Sequence, residues 1–203
     1  MSSPSDCKQR CCNCAYTIAI IGCFLIVIAV WGFAWQRYPW AIEHCVKVMA
    51  ICGFIQFGSN IGASTLRLLG ILASDFSGWF VAAATPAEFW RRWNKPAGRF
   101  LFEYVFVPAG GWHHLYLAVM ATFCLNGLIH EYVFGIAAGR VLGWAFPFFL
   151  IQGLATAATM RLRPRGWGRV TGIVLTLLFN LATSVLLFAC VNAVVPFYIE
   201  RRN

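Results

Sequence analysis

The chain has 203 residues, of which 60% are hydrophobic and 11% charged, and its formal net charge is +9. A soluble domain carries about 25% charged residues, so this composition excludes a water-soluble globule, and the length leaves one membrane domain without a second soluble one. The positive excess is read as contact with anionic headgroups and as a bias of basic loops to the cytoplasmic side, not as nucleic-acid binding.

Residues 1–14 hold Cys7, Cys11, Cys12 and Cys14. Adjacent cysteines without a second pair make a poor zinc site. Palmitoylation beside a membrane helix and a tail with no defined chemistry are the other readings. Ala15 to Trp35 then runs without a charged side chain. It reaches the roughly 20 residues that a helix needs to cross about 30 Å of hydrocarbon, and exceeds the apolar core of a cleaved signal peptide. It is expected to be a retained span. Trp40 to Phe57 is a second span, interrupted near its start by Glu43, His44 and Lys47, whose side chains are expected to reach the interface. Domain limits follow as a tail over 1–14, two N-terminal spans over 15–58 and a core over 59–203.

Residues 58–112 are the least membrane-like part. Leu66, Leu69, Leu72 and Ala73 suggest a short interfacial helix. Thr85-Pro86-Ala87-Glu88 fits a capping box with proline at the first helical position. The helix continues to Asn94, and Lys95-Pro96 is expected to stop it. Phe89, Trp90 and Trp93 share one arc, Arg91, Arg92 and Lys95 the opposite one, and Asn94 lies at the aromatic edge. Such a helix lies flat in the headgroup layer, as a loop anchor or as part of a site.

His114 to Ala138 is a third span, apolar except for Asn126, His130 and Glu131. His130 lies roughly 24 Å into it at about 1.5 Å per residue. Asn126 and His130 are four apart and share a face, with Gly127 beside them. An ionisable residue at that depth is costly and faces the bundle interior or a cavity. His130 can bridge helices as a neutral ring, or serve as a base or proton relay. Glu131, about 100° away, is expected at the wet end of the span, paired with a basic group.

Val141 to Met160 and Val170 to Ile199 are the fourth and fifth spans, both without a charged side chain. Asn180, Thr183 and Ser184 can join helices by hydrogen bonds. Lys8 and Arg10, the cluster Arg91, Arg92, Lys95 and Arg99, and the loop with Arg161, Arg163, Arg165 and Arg169 then fall on one side, taken as cytoplasmic. Arg201 and Arg202 fall opposite, against the usual bias. The expected fold is all-α: a polytopic transmembrane helical bundle of about five spans with short interfacial helices.

Three segments together carry a resemblance: Thr85-Pro86-Ala87-Glu88-Phe89-Trp90-Arg91-Arg92-Trp93-Asn94, Glu103-Tyr104-Val105-Phe106-Val107-Pro108, and Leu128-Ile129-His130-Glu131-Tyr132. They resemble the membrane-bound O-acyltransferase superfamily, most closely its wax synthase, diacylglycerol and sterol acyltransferase branch. The resemblance covers roughly residues 59–198. It implies a catalytic His130 with Asn94, supported by Asn126, Glu131 and Trp93, and acyl-CoA held by Arg91, Arg92, Lys95 and Arg99. The implied reaction moves a fatty acyl group to a lipid or long-chain alcohol, giving a wax ester or neutral lipid, with no metal or other cofactor. The implied setting is multi-pass, in a bacterial inner membrane or the endoplasmic reticulum, among membrane lipids and with a membrane partner or a second copy left open. Family members usually have eight or more spans. A non-catalytic member or subunit of a membrane complex is therefore an alternative, and a small proton-coupled transporter using His130 and Glu131 is another. A transporter should carry paired repeats with broken helices, and the sequence has no internal repeat.

Overall fold

The computed structural model describes residues 4–200, with the side chains of 18–200 apart from Leu68. The side chains of Lys8, Arg10 and the four N-terminal cysteines, and Arg201 and Arg202, lie outside the described residues. Two compact units are present, residues 1–79 and 80–203. All regular structure among the described residues is helical, as expected for a helical membrane bundle.

In the first unit, α1 (Pro4–Trp31) and α2 (Trp40–Leu68) pack together, joined by a 3-10 turn at Trp35–Arg37. Trp35 is buried and its Nε1–H donates to the Val30 carbonyl at 2.6 Å. Glu43 and Lys47 do not reach the interface. They form an i,i+4 ion pair at 2.7 Å with side chains 0% and 2% exposed, and the Lys47 ammonium lies 5.2 Å from the Trp31 ring centroid. Pairing offsets a desolvation cost that neither charge could bear alone. The charges therefore turn inward instead of snorkelling.

The interfacial helix expected around residues 66–73 is absent. α2 continues to Leu68 and ends in a Schellman motif: Gly70 N–H donates to Arg67 O at 3.0 Å, Ile71 N–H to Leu66 O at 3.0 Å. Gly70 supplies the left-handed φ of +80° that the motif requires. The following loop folds back, with Arg67 Nε donating to Ala73 O at 2.7 Å and its guanidinium pairing with Asp75. The 58/59 boundary drawn from the sequence falls inside α2.

The second unit begins with a 3-10 turn at Phe80–Ala82, followed by α3 (Pro86–Arg92) and α4 (Lys95–Leu101). Thr85 Oγ1 accepts the Glu88 N–H at 3.1 Å with Pro86 in the first turn, as the capping pattern demands. Lys95-Pro96 does not end that helix. α3 has already ended at Arg92, and proline, tolerated where no intrahelical N–H is needed, stands at the start of α4. A π-helical turn over Phe102–Phe106 and tight turns lead to α5 (Leu115–Ala138), α6 (Ala145–Thr159) and α7 (Trp167–Val194).

α2, α5 and α7 are long and apolar enough to cross a membrane, and the Ile18–Trp31 part of α1 and all of α6 are shorter apolar helices. The fourth expected span is thus trimmed at its start, because residues 141–144 form a turn instead of helix. Lipid tails are as apolar as leucine, so helices associate in a membrane through close packing and not through hydrophobic transfer. Glycines supply that closeness between α5 and α6. A Cβ on Gly127 would lie 3.1 Å from Phe149 Cβ, and one on Gly153 would lie 2.8 Å from Phe123 Cβ. Around them sit Ala118, Val119, Phe123, Phe148, Phe149 and Ala157, all buried.

Gly127→Ala is therefore expected to destabilise by about 1 kcal/mol, the lower end of the cost of overpacking. It should lower the thermal unfolding midpoint in detergent. Gly22→Ala, on α1 with nothing within 4 Å of the added carbon, should not lower it.

Candidate active site on helix α5

His130 lies within α5, half-buried. Its Nδ1 is 2.9 Å from the main-chain carbonyl oxygen of Asn126. A carbonyl only accepts, so Nδ1 carries the hydrogen, and a neutral ring then has its free lone pair on Nε2. The partner is the Asn126 backbone, not the carboxamide that the spacing suggested, so the ring's hydrogen bond is set by helix geometry and not by a side chain. The imidazole rests against Phe149 of α6, with ring centroids 4.5 Å apart and planes at 43°. Gly127 is what lets α6 come that near.

Glu131 has a different role from the one expected. Its carboxylate accepts four main-chain N–H groups, not a basic side chain: Leu142 at 3.1 Å, Gly143, Ala145 at 2.9 Å and Phe146 at 3.3 Å. These are the donors of the α5–α6 turn and the first turn of α6, where an anion is favoured by the helix dipole. The His-Glu dipeptide thus has two functions. One side chain offers a basic nitrogen, and its neighbour fixes the helix whose Phe149 packs against that ring.

The motif helix α3 reaches the same place from the other direction. Trp90 packs on Phe123 (5.2 Å, 87°) and Phe149 (5.8 Å, 47°), so Phe149 contacts both Trp90 and His130. Trp90 Nε1–H donates to Gln152 Oε1 at 2.9 Å. The Gln152 amide donates in turn to Thr183 Oγ1 at 2.9 Å and Asn180 Oδ1 at 3.3 Å. Gln152 is 1% exposed and ties α3, α6 and α7 together. Its signal in the sequence is that it is the one carboxamide in the apolar run 141–160. Asn180 and Thr183 join helices as expected, and Ser184 donates to Leu181 O at 2.9 Å.

Asn94 stands at the junction of α3 and α4. It is the one non-glycine residue with positive φ among the described residues (φ 34°, ψ 65°), a region that asparagine tolerates better than most. Its Oδ1 caps α4 by accepting the Ala97 N–H at 3.3 Å, which leaves the NH2 group as a donor. No hydrogen bond joins Asn94 to His130. Trp93 stacks on Phe89 (5.8 Å, 14°) and meets the edge of Phe80 (4.7 Å, 77°), which anchors α3 to the 3-10 turn that precedes it.

The basic cluster divides. Arg92 pairs with Glu88 and donates to Ala82 O at 3.1 Å. Lys95 and Arg99 are exposed on α4. Arg91 instead lines a cavity of about 370 Å³ with Thr85, Glu88, Arg163, Arg165 and Arg169. Burial pushes the Glu88 carboxyl up, but the Ala84 N–H (2.6 Å) and the Arg92 and Arg169 guanidinium groups outweigh it and hold the carboxyl below its ordinary 4.5. A lowered folded-state value contributes stability above the ordinary value, and that contribution is lost as pH falls through the folded one. Between pH 7 and 5 wild type should exceed Glu88→Gln in thermal midpoint by a constant margin. That margin should shrink below pH 4.5.

The sequence model of the membrane-bound O-acyltransferase family matches residues 15–195. Among curated proteins, the chain is 29% identical over 143 residues to the probable long-chain-alcohol O-fatty-acyltransferase 2 of Arabidopsis thaliana, covering 63% of this chain and 41% of that protein. It is 30% identical over 147 residues to the probable long-chain-alcohol O-fatty-acyltransferase 1 of the same plant, covering 63% and 42%. It is 32% identical over 65 residues to the probable sterol O-acyltransferase 2 of Schizosaccharomyces pombe, covering 32% and 14%. The chain thus spans about two fifths of the length of the two plant proteins, and less of the yeast one. No solved structure matches.

Proposed function

The chain belongs to the membrane-bound O-acyltransferase family, and from that premise we propose that it moves a fatty acyl group from acyl-CoA to a lipid or long-chain alcohol, with His130 as general base. The observation that carries the proposal is the His130 hydrogen bond to the Asn126 carbonyl, because it places the hydrogen on Nδ1 and so makes Nε2 the atom through which the uncharged ring can take a proton. In the reaction, Nε2 takes the proton of the alcohol hydroxyl as its oxygen attacks the thioester carbon. The oxyanion that forms is stabilised by a donor such as the Asn94 NH2. Collapse breaks the carbon–sulfur bond, the imidazolium returns its proton to the departing thiolate, and the products are an ester and free coenzyme A. Among Arg91, Arg92, Lys95 and Arg99, the cations proposed to meet the donor's phosphates, Arg92 is already engaged by Glu88. The alcohols named for the plant and yeast relatives, long-chain alcohols and sterols, support a lipid acceptor.

A second reading is a non-catalytic member of the family that works beside another membrane protein. On its side is the absence of a hydrogen bond between Asn94 and His130, with Asn94 Oδ1 serving as a helix cap. Lipid profiling of cells expressing the chain separates the two. A new ester class that disappears with His130→Ala supports the enzyme. No new ester from an abundant, folded wild type supports the second reading.

The two roles of Asn94 can be separated by choice of residue. Glycine adopts its left-handed backbone freely but has no amide. Asn94→Gly should therefore keep the thermal midpoint close to wild type while lowering turnover by about 10²-fold or more, the size of loss typical for an oxyanion donor. Equal turnover in a folded Asn94→Gly protein would leave Asn94 with the cap alone.

A further inference from the structure

Residues far apart in sequence meet in the cavity beside α3. Thr85, Glu88 and Arg91 come from the α3 segment, and Arg163, Arg165 and Arg169 from the α6–α7 loop and the start of α7. The two are locked in register by the Ala87 N–H, which donates to Thr159 Oγ1 at 3.2 Å, and by Arg169, which reaches Glu88 at 3.4 Å. Four guanidinium groups therefore face one carboxylate, and that carboxylate is shared with Arg92. Mutual repulsion of this kind is tolerated where an anion is to be bound.

The four arginines are not equivalent. Arg163 is fixed by donating to Met160 O at 2.8 Å and Leu162 O at 3.0 Å, and Arg169 by Glu88 and Ala82 O. Arg91 and Arg165 make no hydrogen bond or ion pair among the described residues. Two cations thus form a held frame, and two remain to close on a ligand. At about 370 Å³ the cavity falls within the roughly 300–1,000 Å³ of small-molecule sites.

We infer that this cavity is a phosphate-binding site, in which Arg91 and Arg165 grip a phosphoryl or diphosphoryl group between them while Arg163 and Arg169 set the walls. Planar guanidinium forks match phosphate oxygens in pairs, and the charge excess calls for a multiply charged anion over a single carboxylate. Two sources present that chemistry. One is a phospholipid headgroup, since the exposed Leu162 and Trp167 beside the loop mark headgroup depth. The other is the diphosphate of the acyl donor. From Thr159, beside the cavity, to Phe149, beside His130, is ten residues of α6, roughly 15 Å at about 1.5 Å per residue. The arm of about 13 bonds between the diphosphate and the sulfur of coenzyme A spans roughly 16 Å at about 1.2 Å per bond. The donor source rests on the acyl-transfer reading, and the headgroup source does not.

The test uses the full chain in nanodiscs and needs no turnover. In neutral phosphatidylcholine discs, inorganic pyrophosphate and free coenzyme A are titrated by calorimetry. In a parallel series, the thermal midpoint is compared between phosphatidylcholine discs and discs containing phosphatidic acid. Arg91→Gln with Arg165→Gln is the disrupting pair, and Arg161→Gln, on the same loop but outside the cavity, is the control. Binding of pyrophosphate and coenzyme A that the double variant weakens by about 100-fold, at roughly tenfold per lost charge-assisted contact, assigns the site to the donor. A phosphatidic-acid-dependent rise in midpoint that the double variant abolishes, without binding of either soluble probe, assigns it to a headgroup. The inference is overturned if no probe responds, or if Arg161→Gln weakens the response as much as the double variant. His130→Ala should bind every probe like wild type even where it makes no ester, so loss of the acyl-transfer reading and loss of this site are read separately.

Discussion

Replacing His130 with alanine is expected to lower ester formation at least ~100-fold, the low end of what a general base contributes, while the protein still inserts and folds. The expectation rests on geometry. The Nδ1–H is satisfied by the Asn126 carbonyl, so the nitrogen left to take a proton is Nε2. The fold should survive because the ring's main packing partner, Phe149, is also supported by Trp90 and Phe148. A lone loss of stability, with turnover per folded molecule unchanged, would make the histidine a packing residue. Substitution of Asn126 by alanine should matter little, since the carbonyl that holds the ring belongs to the backbone and survives the change.

Glu131→Ala is expected to give the largest loss of stability of any single change in the second unit, about 3 kcal/mol. Hydrogen bonds to a charged acceptor are each worth about 1.5–3 kcal/mol when their partner is removed. Four amides would lose theirs here, but the site is only half-buried, and water can repair part of the damage. Glu131→Gln should fall between, because one carbonyl oxygen replaces two carboxylate oxygens. Activity should drop along with stability as the start of α6 loosens and Phe149 no longer holds the imidazole. Thermal unfolding in detergent, with hydrogen exchange of residues 142–146, reads both effects. Wild-type protection of those amides in Glu131→Ala would show that the turn holds itself.

How much of this was legible in the sequence depended on how local the cause was. Three of the five apolar helices follow from runs without charge, the other two from runs with a few polar interruptions, and the Thr85–Glu88 cap follows from four adjacent residues, so these could be read directly. The shared face of Asn126 and His130 was legible from their spacing, but not which Asn126 atom would be used, because a main-chain carbonyl leaves no mark in a side-chain pattern. Glu131 was misread for the same reason, since its partners are backbone amides of a turn that composition does not show. Glu43 and Lys47 were expected at the interface because each was judged singly. As an i,i+4 pair beside Trp31 they are buried together. Asn94 looked like the end of a helix and proved to begin the next one. The arginine cavity joins residue 91 to residues 163–169, a juxtaposition that only tertiary packing creates. Gln152 was overlooked because one carboxamide among apolar neighbours looks incidental until Trp90, Asn180 and Thr183 are seen around it.

A base at position 130 is distinguished from a packing residue by His130→Gln. Glutamine is close in size and can still donate to the Asn126 carbonyl, but it cannot take a proton near neutral pH. The measurement is ester formation by the purified full chain in nanodiscs with a long-chain acyl-CoA and a long-chain alcohol, normalised to folded protein. With His130 as the base, the expected result is a loss of at least ~100-fold with a thermal midpoint near that of wild type. Ester formation by His130→Gln at the wild-type rate would show that His130 is not the base.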